Sequence, residues 1–299
     1  MLRQIRLIAL HELAITVATR RAIAAVSLYL VTALLGGVAY VKSLNAMERQ
    51  AAHALATPGA DPAKAAVAAA NLTRQAYDQL VVFLAGTDGV PVAKSLTDSM
   101  ILPALLWGSL AFLPFLVVLT SFDMISSDLQ TRSLCYSVLR APRSSILFGK
   151  LLAQTTLFVG LSVLASCALL AVAASLIEHF EIVAALPGLF RVWLLLLPYG
   201  FCYLGLSAFC SASLRQPSVA LIAAFGGMVA LRIVGFLSHV PEQHPLAPLR
   251  YLRWLSPAQY QSGLWEQEFA GPVLSMIAYL CFGATFVAFA GRVLDRRDL

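Results

Sequence analysis

The sequence predicts an all-α integral membrane protein with six transmembrane helices. Three observations carry this. Hydrophobic residues make up 60% of the chain, charged residues only 12%, and the mean hydropathy is +0.80, whereas soluble domains hold about 45–50% apolar and about 25% charged residues. Apolar runs of bilayer-spanning length, about 20 residues, occur at 22–41, 101–122, 151–177, 188–210, 218–237 and 272–291. No alternating ten-residue segments of the barrel kind accompany them, so each run must satisfy its own backbone hydrogen bonds as a helix.

Residues 1–21 precede the first span as a separate helix, and the run 22–41 follows Arg20 and Arg21 with no small-residue cleavage site, which predicts a retained anchor. Residues 42–100 form the largest piece between spans. There the first helix is expected to continue, to turn at Thr57-Pro58-Gly59 and to return as a second helix from Asp61-Pro62. Val67, Leu72, Leu80, Val81 and Leu84 would pack this alanine-rich hairpin, whose core is thin enough to need a partner or the membrane surface. A passive spacer is the other reading. Between the fifth and sixth spans, 238–271 carries Tyr251, Trp254, Tyr260, Trp265 and Phe269. Amphipathic aromatics of this kind prefer headgroup level, so short helices lying in or dipping into the outer leaflet are expected, as simple anchors or as a collar at an exit.

Lys and Arg set the orientation. With the N-terminus cytoplasmic, Arg3, Arg6, Arg20, Arg21, Arg132, Arg140, Arg143, Lys150, Arg215, Arg292, Arg296 and Arg297 all fall inside, 12 of the 21 bases in short segments. Lys42, Arg49, Lys64, Arg74, Lys94, Arg191, Arg250 and Arg253 are spread over the longer outer ones. The positive-inside rule then puts both termini, including the tail 292–299, in the cytoplasm; a bacterial inner membrane is the expected location. This asymmetry accounts for the net charge of +6, so no nucleic-acid partner is expected. Of five cysteines, four lie in spans and Cys135 in an inside loop, without CxxC spacing, which excludes a disulfide framework.

Catalytic constellations are weak. Gly149-Lys150 is followed by Leu151 and lacks the upstream glycine of a phosphate loop, so any ATP and Mg must sit on another chain and no cofactor is expected here. Ser207, in Gly205-Leu206-Ser207-Ala208, and His239 fall at opposite ends of their spans, about 30 Å apart, too far for nucleophile and base. Close helix packing at these small residues is the expected role. His239, Glu242 and His244 form no complete metal set. Arg232 lies in the fifth span near its outer end, where a charge must pair or snorkel. Glu178 and Glu181, at the outer end of the third span, are its expected partners if it pairs.

The segment 123–150 between the second and third spans is the most crowded polar stretch. Ile125, Leu129, Leu134 and Val138 recur near helical spacing, with Asp123, Asp128 and Arg132 among them. Pro142 ends the helix and Ser144-Ser145 begin the next. A short amphipathic helix lying crosswise under the bilayer, the geometry of a docking element, is predicted.

Asp128, Arg132-Ser133-Leu134, the turn Arg140-Ala141-Pro142-Arg143 and Leu147-Phe148-Gly149-Lys150 resemble, in order, the Glu-x-x-x-Gly-Thr-Leu, Pro/Arg turn and Leu-Gly-Lys pattern of ABC type 2 transporter permeases, a family with a branch associated with copper-enzyme maturation. Ser256-Pro257 before the last span and the terminal Arg296-Arg297-Asp298-Leu299 agree. Arg132 stands where the family has Gly. The resemblance implies that 1–21 is an elbow helix on the inner surface and that 123–143 is a coupling helix docking on an ABC ATPase. Asp123, Asp128, Arg132, Arg140 and Arg143 would supply its polar contacts, and Ile125, Leu129 and Leu134 its apolar ones. It further implies two ATPase copies, a second permease copy or paralogue, and export or mechanical work on an outer partner through 42–100. An ATPase-independent secondary transporter is the alternative, for which Pro114 and Pro198 would mark broken helices.

Overall fold

The computed structural model describes residues 2–18, 20–55, 102–176, 182–236, 254–265 and 270–297. Among these the chain is helical without strands. In order come α1 (Leu2–Ala18), α2 (Arg20–Leu55), α3 (Leu102–Ser121), the short α4 (Ser126–Thr131) and α5 (Ser133–Val138), α6 (Arg143–Leu176), α7 (Ile182–Ser213), α8 (Pro217–Phe236), two 3₁₀ turns (Pro257–Tyr260 and Ser262–Trp265) and α9 (Ala270–Asp295). Six of them, α2, α3, α6, α7, α8 and α9, are long and apolar enough to cross a membrane.

Helix bounds exceed the apolar runs wherever a polar segment continues the helix. α2 runs to Leu55, well past the expected end of the first span, while the hairpin turn and second helix lie outside the described residues. α6 starts at Arg143, directly after Pro142 and ahead of Ser144-Ser145. Pro114 and Pro198 sit inside continuous helices and break neither.

The core lies around α7, which touches α3, α6, α8 and α9. α7 and α9 meet most closely, and glycine is the reason. A methyl group at Gly205 would come within 2.6 Å of the Gly283 carbonyl oxygen, and one at Gly283 would meet Phe201 at 2.5 Å. Backbones in contact gain dispersion attraction that lipid-facing side chains cannot supply, the usual basis of helix association in a bilayer. Ser207 and Ala208 are fully buried in the same stretch, in keeping with packing.

α1, α4, α5, the start of α6 and the ends of α7 and α9 gather at one end of the bundle, here called the terminal end. At the far end, the 3₁₀ turns pack on α8 and α9. Leu264 is fully buried there, and Tyr279 of α9 donates to the Pro257 carbonyl at 2.8 Å. Ser256 caps the first turn, accepting from the Ala258 N–H at 3.2 Å and donating to the Leu231 carbonyl at 2.6 Å.

Candidate functional site at the terminal end

The segment after α3 is two helices where one is expected. Arg132 separates α4 from α5 with φ 58° and ψ 13°, the left-handed region, and it is the positive-φ non-glycine residue among those described. Such a conformation costs an L-residue roughly 1–2 kcal/mol and is usually assigned to glycine. This is the position at which the resembling pattern has Gly. The Arg132 side chain is exposed.

Four joints tie this segment and its neighbours to the bundle. The Ser211 hydroxyl of α7, fully buried, accepts from the backbone N–H groups of Ile125 (2.9 Å) and Ser126 (3.0 Å). It thus satisfies donors that the start of a helix leaves without intrahelical partners. Arg143 donates through Nη1 to the carbonyls of Leu294 (2.8 Å) and Asp295 (2.6 Å), and Arg297 donates to the Ser213 carbonyl. Each arginine thereby caps the carboxyl end of a long helix, where the macrodipole favours a cation.

The fourth joint is ionic. Lys150 on α6, only 4% exposed, places Nζ 2.6 Å from Glu12 Oε1 of α1 and 2.9 Å from Asp128 Oδ2 of α4. The other Asp128 oxygen accepts from Ser133 at 3.0 Å. A buried ammonium needs such partners, since desolvation alone would make it costly. The preceding residue explains how α1 comes so near. A methyl at Gly149 would lie 2.7 Å from Ile8 Cγ2 and 3.2 Å from the Ile5 carbonyl oxygen, so glycine is what lets α1 cross α6 here.

These contacts redistribute the expected docking residues. Ile125 and Leu134 are each 1% exposed and pack into the bundle core, and Leu129 is half-buried against it. Asp128 and Arg143 are engaged inside the chain, and Asp123 is half-buried. Arg132 and Arg140 remain exposed, and beside them Tyr136 and Leu139 are 75% and 84% exposed. Burial therefore withdraws Ile125 and Leu134 from any outward contact surface, and Tyr136 and Leu139 are the large apolar side chains left exposed on this segment. Glu12, Ser211, Tyr136 and Leu139 carry no local pattern that singles them out. An acid in an otherwise apolar and basic first helix is the nearest to a signal.

Arg232 of α8 lies away from this site, toward the far end. It donates to Gln261 Oε1 at 2.9 Å and to the Tyr199 hydroxyl at 3.3 Å. Glu178 and Glu181 lie outside the described residues, as do His239, Glu242 and His244. Tyr199 in turn donates to the Leu110 carbonyl at 2.7 Å. That carbonyl lacks its helical donor because Pro114, four residues on, has no N–H. Tyr203 and Tyr279 meet the Tyr199 ring edge-on at 5.2 and 5.1 Å.

The family model described as "ABC-2 family transporter protein" matches residues 6–299, nearly the whole chain. No curated protein matches it.

Proposed function

We propose how a chain that belongs to the ABC-2 family of transporter proteins, and is thus the multi-pass membrane component of an ABC transporter, uses this geometry. It is a permease subunit whose α4–α5 segment docks on a separate ATPase subunit at the cytoplasmic face, which the terminal end would be. The observation that carries this reading is the division of labour in that segment. Asp128, Ile125 and Leu134 are turned into the bundle, while Arg132, Tyr136, Leu139 and Arg140 are left outward. An exposed Leu and Tyr between two arginines fits a protein contact with aromatic and Arg anchors.

Two ATPase copies and a second permease, identical or related, complete the assembly in this reading, because closure of the ATPases must move two bundles against each other to switch a path. ATP and Mg stay on the ATPase. With both termini on the cytoplasmic side of a bacterial inner membrane, the expected role is export of a substrate or mechanical work on an outer partner.

The test is co-purification of the tagged chain with its ATPase, followed by nucleotide hydrolysis in the eluate. Arg132→Glu with Arg140→Glu, and separately Leu139→Asp, are expected to abolish recovery of the ATPase while leaving the permease's thermal transition in place. Undiminished recovery with both variants refutes the docking face. A wild-type chain that purifies alone under conditions that preserve other ABC complexes refutes the coupling itself.

A further inference from the structure

A concavity of about 410 Å³ opens between α3 and α8, walled by Pro114, Phe115, Met228, Val229 and Ile233, with Arg232 as its charged member. Polarity is ordered along it. Arg232 is one turn from the end of α8 at Phe236, about 6 Å at the helical rise. Val229 and Met228 lie deeper, and Phe115 and Phe225, with ring centroids 6.1 Å apart, mark the next turn. A cation near the membrane surface above an apolar wall is complementary to a bilayer lipid with an anionic head.

The guanidinium is held in place by hydrogen bonds. Gln261 fixes Nη1 and the Tyr199 hydroxyl fixes Nη2, and Tyr199 is itself fixed by the Leu110 carbonyl that Pro114 leaves open. Both of these contacts of Arg232 are to neutral groups, so they do not balance its charge. A guanidinium has more donors than these contacts use, and it matches phosphate in a forked geometry. An exposed charge in a span is costly without an anion.

We propose that Arg232 and this concavity form a binding site for an anionic phospholipid, phosphate on the guanidinium and an acyl chain along Val229 and Met228. The site belongs to this chain alone and does not depend on the ATPase. Native mass spectrometry of the purified, delipidated chain, titrated with dioleoyl phosphatidylglycerol and dioleoyl phosphatidylcholine, reads it directly. The wild type is expected to prefer the anionic lipid tenfold or more, the order of a charge-assisted contact. Arg232→Gln removes that preference, Arg232→Lys keeps part of it, and Val229→Trp, which fills the concavity, weakens binding of both lipids.

Equal affinity for the two lipids, or a preference unchanged in Arg232→Gln, overturns the assignment. So does an Arg232→Gln variant that turns a dimer into a monomer, because the guanidinium would then face a second copy. Displacement of phosphatidylglycerol by equimolar oleate reassigns the site to a fatty carboxylate and overturns the phosphate head.

Discussion

Replacing Lys150 by Met separates a buried ionic joint from simple packing. The side chain is 5% exposed, and its two carboxylate partners are 24% and 25% exposed. Removing one partner of a fully buried pair costs about 3–5 kcal/mol because the remaining charge is stranded. Here the stranded groups are the carboxylates, and a quarter of each already meets solvent, so partial rehydration lowers the expected loss to about 1–3 kcal/mol. Glu12→Gln should cost least, since Lys150 keeps Asp128. Asp128→Asn should cost more, because the contact to Ser133 is weakened as well. Neutralising all three positions together should recover much of the Lys150→Met loss, as no charge is then buried without a partner. Thermal unfolding of the detergent-purified variants, read by size-exclusion recovery, gives the double-mutant coupling. A Lys150→Met protein as stable as wild type, with Glu12 and Asp128 intact, refutes the joint.

Three other outcomes follow from close contacts. Gly149→Ala is expected to destabilise by about 1–3 kcal/mol, the cost of overpacking, and to weaken cysteine cross-linking between α1 and α6, because the new methyl meets Ile8 and the Ile5 carbonyl; an unchanged cross-link yield refutes the crossing. Arg132→Gly should raise stability by about 1 kcal/mol by relieving the left-handed backbone, yet weaken ATPase recovery by removing an outward cation. Those opposite signs are read by melting and by co-purification on one sample, and a stability loss refutes the strain. Tyr199→Phe should cost about 1–3 kcal/mol by orphaning the Leu110 carbonyl, and much less on a Pro114→Ala background, where the helix supplies its own N–H; equal costs on both backgrounds refute the pairing.

The six spans were legible because length and apolarity report the solvent directly. Two helix ends were legible from their punctuation as well: α6 begins at Arg143, one residue ahead of the expected Ser144-Ser145, and α2 runs on to Leu55, just short of the expected turn at Thr57-Pro58-Gly59. The break at Arg132 was hidden by its side chain. A glycine there would have announced the left-handed turn, and the departure from the resembling Gly was the only written trace. Periodicity showed that the coupling segment has an apolar face but not which way that face points, so Ile125 and Leu134 were expected outward where the bundle covers them. Glu12 and Lys150 are separated by 138 residues, and no local pattern can pair them.

The four joints at the terminal end share a property that bears on how the bundle would respond to force. Each ties elements far apart in sequence: α7 to α4 through Ser211, α6 to α9 through Arg143, the end of α9 to α7 through Arg297, and α6 to α1 and α4 through Lys150. Displacement of α4 would therefore carry α1, α6, α7 and α9 together. α2 and α8 take no part in these joints, and their membrane windows are the least covered by the chain, each 22% buried against 61% for the window that starts at Leu105. Packed interfaces switch between discrete arrangements more readily than they deform. If α4 is the docking element proposed above, the expected seams for a rearrangement driven through it are those of α2 and α8 against the rest. One of these, between α3 and α8, is the concavity at Arg232, so movement of α8 would change the fit of the lipid proposed there.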